Sequence, residues 1–228
     1  MAAQTIDEVV ARLQELDRSL PPTDGVRWFS RLYLDVTLAV RDYCRAGQPK
    51  APPFLEQLDV RFGNKFFAAF DAAASGSPAP ACWAPLFDAR HDRRIAPLQF
   101  ALAGMNAHIG HDLAIGVVET CQALTVTPTE DCPQHLDYNA VNSILGKTEA
   151  QTKQWLLTGA IKELDHIVAP VDDAAVIWSI ERARDAAWIR AEVLWHLRDH
   201  QQIMDAYLAS LDATVGMEGR ALLLPHSI

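Results

Sequence analysis

Residues 97–124 read PLQFALAGMNAHIGHDLAIGVVETCQAL, and this stretch decides the fold. It is long, almost wholly apolar and free of Lys and Arg, yet it holds Asn106, His108, His111, Asp112 and Glu119. At the helical repeat of about 100° per residue, His108, His111, Asp112, Ile115, Glu119 and Gln122 share one arc. Leu102, Met105, Ile109, Leu113, Gly116 and Val117 fill the other side, with Asn106 among them. The pattern predicts a mostly buried helix at the centre of a helical domain. Because its polar groups cluster, the arc points to a metal or acid–base site. It also fits a partly solvated stripe with a His–Asp hydrogen bond. His108 and Asp112 are one turn apart, so the carboxylate can hold one imidazole nitrogen and leave the other free for proton transfer. Asn106, on the apolar side, must find hydrogen-bond partners there or cost roughly 1–3 kcal/mol.

Outward from this stretch, the chain keeps helical spacing. Towards the N-terminus, residues 4–19 carry Ile6, Val9, Val10, Leu13 and Leu16 at helical intervals. Asp24 is placed to cap a second helix that runs to about Cys44. A third is expected from Phe54 to Ala74. A loop from Ser75 to Pro80 and a short helix or turn from Cys82 to Asp92 lead to the charged connection Arg90–Arg94.

Towards the C-terminus, a helix is expected over 135–146, another over 148–167, and one long helix from Ala174 to Leu211. Residues 217–228 read as a tail that packs back on the body. Asp137 falls on the side of Val141, Ile144 and Leu145, which suits either a capping role near its own helix start or a site role. Arg184 and Trp188 share one side of the long helix. If that side is buried, Arg184 must pair with a glutamate or aspartate, or hold a substrate anion. No alternating strand pattern survives, so the expectation is an all-α single domain, residues 1–228, of about seven or eight helices around a buried central one.

Composition narrows the function. Half of the 228 residues are hydrophobic and the net charge is -9, which argues against a nucleic-acid surface. No stretch has the length and apolarity of a membrane span, and the first residues read as a helix rather than a signal peptide. Cys44, Cys82, Cys121 and Cys132 show no CxxC spacing, which fits a reduced, cytoplasmic protein with incidental thiols. Nucleotide-binding and serine-hydrolase motifs are missing from the sequence.

Gly104-Met-Asn-Ala-His-Ile109, followed by Asp112-Leu113, resembles the signature of an uncharacterised, mainly actinobacterial helical family catalogued as a domain of unknown function. The resemblance extends to Asp137 with Val141-Asn142 and to Arg184 with Trp188, over about Phe54 to Leu197. It implies an all-helical fold and a set of polar residues, and no established activity. His108 and Asp112 also share the His-x-x-x-Asp spacing of helical zinc-dependent phospholipases and nucleases. Of the further metal-ligand pairs that those enzymes need, this chain offers only Glu192-x-x-x-His196, in reversed order, and His196-x-x-x-His200.

The leading expectation is a small-molecule enzyme of hydrolase, cyclase or isomerase type. His108, Asp112 and Asp137 would be its catalytic groups, and Asn106, Asn142, Arg184 and Trp188 would contact substrate. One alternative is a non-catalytic binding or scaffold protein whose buried polar groups fix helix register. Another is a metal-dependent helical enzyme, with zinc or two irons. His108, His111 and Asp112 cannot complete a tetrahedral set within one turn, so a metal would need a donor from another helix. Asp137, His135 and His166 are the donors in view, and Glu163-Leu-Asp-His166 has the Glu-x-x-His spacing of di-iron bundles. Cofactor and oligomeric state stay open at this level.

Overall fold

In the computed structural model of the protein, residues 2–144 and 180–225 are described. Every regular element among them is helical. The expected helix over 148–167, with Glu163 and His166, lies outside the described residues.

Helix α1 (Ile6–Ser19) starts where the Thr5 side chain accepts the Glu8 amide, and it buries the predicted stripe from Ile6 to Leu16. In α2 (Gly25–Arg45), Asp24 accepts the Val26 amide at 3.0 Å. The same carboxylate is 2 % exposed and takes the Arg90 guanidinium, so one Arg of the charged connection is an internal tie. Helix α3 (Pro52–Ala74) opens on prolines, which need no amide partner in a first turn. A short α4 (Ala84–Ala89) precedes α5 (Pro97–Ala107).

Between α5 and α6 (Leu113–Leu124) the backbone widens into a π-helical turn, His108–Asp112, in which the Leu113 amide reaches back to the His108 carbonyl. A single α-helical wheel over 97–124 therefore does not hold. The wider turn splits the expected polar arc. His111, Ile115, Glu119 and Gln122 face partly or fully outward, while His108 and Asp112 point into the core at 2 % and 3 % exposure. Residues 133–144 form α7.

Residues 174–179 of the long C-terminal helix expected from the sequence lie outside the described residues, and from 180 on the chain forms two helices, α8 (Ile180–Leu197) and α9 (Gln201–Leu222). The chain turns at 198–200, where the His200 amide donates to the Leu197 carbonyl at 2.8 Å. This turn lets α8 pack on α6 while α9 packs on α5 and α4, which one straight rod could not do. Residues 217–222, expected in a tail, complete α9. Gln99 fastens its end by donating to the carbonyls of Leu222 and Leu224.

The stretch 97–124 is the most enclosed part of the described chain. Helix α5 lies against α2 so closely that a Cβ on Gly104 would overlap the Phe29 ring. No helix among the described residues is long and apolar enough to cross a membrane.

Candidate metal centre

Asp112 is the hub of the π turn. Its Oδ2 accepts from Trp83 Nε1 at 3.0 Å and from His108 Nδ1 at 3.2 Å, and its Oδ1 accepts from His111 Nδ1 at 2.9 Å. Burial alone would raise the Asp112 pKa, but the hydrogen bonds from His108 and His111 outweigh it and hold the group below its ordinary value. An ionised carboxylate only accepts hydrogen bonds, so each imidazole presents Nδ1–H to it and keeps a lone pair on Nε2. One aspartate thus fixes the tautomer of two histidines.

The two histidines face different surroundings. His108 is closed in by aromatic rings: Phe62 stacks on it at 3.4 Å between centroids, and Tyr33 meets it edge-on at 4.6 Å. Its Nε2 is buried without a partner, and burial, against the pull of Asp112, lowers its pKa. The expected His108–Asp112 pair is present, but the second nitrogen points into the core and not to a cleft. His111 is partly accessible, with 12 % of its side chain exposed, and its Nε2 lies 4.0 Å from Asp212 Oδ1.

Asp212 comes from α9. Its two oxygens accept the amides of Cys82 at 2.8 Å and Ala81 at 3.0 Å, which locks α9 to the loop before α4. Gly216, one turn on, allows this approach, since a Cβ there would run into the Ala81 carbonyl. As a result Cys82, His111 and Asp212 each bring a ligand atom within 4.8 Å of the other two. All four cysteines are free thiols. Burial first, then the Asp112 charge, pushes the Cys82 thiol well above its ordinary pKa. A divalent cation would reverse that balance by stabilising the thiolate.

The other expected site residues have partners elsewhere. Asn106 donates from Nδ2 to the Val215 carbonyl at 2.9 Å, joining α5 to α9. Asp137 lies within its helix rather than in a capping position for it. Its carboxylate accepts the Lys50 amide at 2.7 Å and the Ala51 amide at 2.5 Å, so it holds the segment that leads into α3. Arg184 is buried and donates to Asn142 Oδ1 at 2.6 Å and to the Tyr138 carbonyl at 2.7 Å. Among the described residues no carboxylate forms an ion pair with it, and Asp185 acts on it only through its charge. The Tyr138 ring, 4.1 Å from its guanidinium carbon, and neutral oxygens hold it instead. Trp188 packs against His135, Tyr138 and Phe54 and donates to Glu192. His135 is engaged by the Asp131 amide and by Asn139. Asp137, Asn142, Arg184 and Trp188 thus tie α3, α7 and α8 together, and among the described residues none of them hydrogen-bonds to His108 or Asp112.

Two of the three clustered donors, Cys82 and Asp212, were not singled out from the sequence. Cys82 lacks a neighbouring cysteine. Asp212 carried a legible signal, as an acid among Leu208, Leu211, Val215, Gly216 and Gly219 at helical spacing.

No curated protein and no solved structure matches the chain. The family described as "Family of unknown function (DUF5995)" matches residues 6–225, and the chain belongs to that family.

Proposed function

We propose that this protein is a metal-dependent enzyme acting on a small polar molecule, with one divalent transition-metal ion held by Cys82, His111 and Asp212. The observation that carries the reading is the convergence of three donors from three elements, with Asp112 behind the histidine. A carboxylate on the far nitrogen of a ligating histidine fixes its tautomer and raises its basicity. Sulfur, nitrogen and oxygen together suit zinc or a similar borderline ion. Three protein ligands leave a fourth tetrahedral position for water or substrate, the pattern of catalytic rather than structural zinc. Partial exposure of His111 and Asp212 leaves that position reachable. The chemistry such an ion supplies is Lewis-acid polarisation and activation of bound water, which suits hydrolysis.

A non-catalytic reading is favoured by one observation: Asn106, Asp137 and Arg184 are spent on ties between elements. Metal analysis separates the two. Protein equilibrated with zinc or cobalt(II) and then dialysed should retain about one equivalent, the stoichiometry of a single three-ligand site. Cobalt should show tetrahedral d–d bands and a thiolate charge-transfer band. Both should vanish in Cys82→Ser and His111→Ala. No retained metal in the wild type, or unchanged stoichiometry in His111→Ala, sinks the proposal.

A further inference from the structure

A cleft of about 560 Å³ opens on a different part of the molecule, between the start of α1, the end of α2 and the middle of α3. It shares no lining residue with the metal centre. Its volume falls within the roughly 300–1,000 Å³ usual for small-molecule sites.

Its charge is unlike that of the whole chain. Arg41, Arg45 and Arg61 line it, against the carboxylates of Asp7 and Glu56, on a protein of net charge -9. Two of the arginines are committed: Arg45 reaches both Asp7 oxygens at 2.8 Å, and Arg41 lies 3.6 Å from Asp7 and 3.1 Å from Asp42. Arg61 differs. Its Nε is buried without a hydrogen-bond partner, and it takes no part in the ion pairs of the described residues. Along its own helix Asp59 lies two positions away and Glu56 five, and neither forms an ion pair with it.

The wall that carries Arg61 is held in place from both sides. Asn64 donates to the Ala3 carbonyl and accepts the Ala3 amide, both at 2.8 Å, which pins the segment before α1 onto α3. Gln4 and Gln57 add neutral polar groups to the lining, and Val60 an apolar one. A guanidinium presents a planar fork of donors that matches the paired oxygens of a carboxylate or phosphate.

We propose that this cleft binds a small molecule through an oxyanionic head group, carboxylate or phosphate, with Arg61 as its anchor. The head group would pair with the guanidinium of Arg61, which lines the cleft and takes no ion pair among the described residues. This inference stands apart from the metal reading, and neither depends on the other.

Calorimetric titration at low ionic strength tests it, with succinate and inorganic phosphate as probes. The wild type and Arg93→Met, a change at an exposed arginine outside the cleft, should bind alike. Arg61→Met should bind roughly 10- to 100-fold more weakly, the loss expected for a charge-assisted hydrogen bond. The tighter probe identifies the head group. If Arg61→Met fails to fold, Arg61→Lys keeps the charge, loses the fork and should still bind more weakly than wild type. Equal binding by the folded Arg61 variant, or no binding of either probe to the wild type, overturns the proposal.

Discussion

At the scale of the residue, Asp112 and Asp59 make opposite use of burial. Asp112 is ionised because three N–H groups converge on it. Replacing it with Asn removes a charged acceptor and sets an amide against donors. Asp112→Asn should lower stability by about 1.5–3 kcal/mol, the usual value of a hydrogen bond to a charged group. If His111 is a ligand, the same change should weaken metal binding roughly 10- to 100-fold. Denaturant titration and metal titration of one variant read both, and unaltered metal affinity would remove Asp112 from the site. Asp59 has no such support. Its Oδ2 is buried without a partner, and burial raises its pKa to about 7. A raised pKa means that the folded state holds the proton more tightly than the unfolded one. The stabilisation is complete below the ordinary carboxylate range and is lost as pH rises through about 7. Asp59→Asn cannot lose that proton, so its melting temperature relative to wild type should climb between about pH 4 and 8. A difference independent of pH would show that Asp59 is hydrated or paired.

At the scale of the element, the π turn and α9 do what an α-helical wheel does not anticipate. The turn sends His108 inward and His111 outward from almost the same sequence position, and π turns often mark functional sites. Helix α9 brings Asp212 to Cys82 only because Gly216 lets it touch the Ala81 backbone. Gly216→Ala should push α9 away from a carbonyl that cannot rotate aside. A cost of about 1–3 kcal/mol is expected, as for other overpacked contacts. Cobalt loading should fall with it, because the shift separates Asp212 from the other two donors. A variant as stable as wild type with full cobalt loading would mean that the loop before α4 yields freely.

At the scale of the whole molecule, the metal donors join the π turn, the loop before α4 and α9, more than 100 positions apart in the chain between Cys82 and Asp212. An ion that binds only the folded arrangement must stabilise the fold by mass action, by about 2.7 kcal/mol at a hundredfold excess over the dissociation constant. Zinc should therefore raise the melting temperature of the wild type and leave that of His111→Ala nearly unmoved. Equal shifts in both proteins would place zinc elsewhere, on exposed histidines such as His91 or His200.

The sequence by itself determined that the chain is all-helical, where most helices begin, and that 97–124 is central. Local signals suffice for that: the repeat of apolar residues, Thr5 and Asp24 as caps, and prolines at helix starts. It also marked Asn106, His108, Asp112, Asp137 and Arg184 as polar groups in apolar surroundings, and all five are buried. The His108–Asp112 pair was legible from its i, i+4 spacing, whereas what Asn106, Asp137 and Arg184 bond to was decided only by the tertiary structure, because their partners come from other elements. Asp137 serves α3, Arg184 serves α7 and Asn106 serves α9. The break at 198–200 has the same origin, since a helical repeat persists through a turn that packing imposes. The convergence of Cys82, His111 and Asp212 depends on how α9 folds back over α4, and helical periodicity contains no information about that.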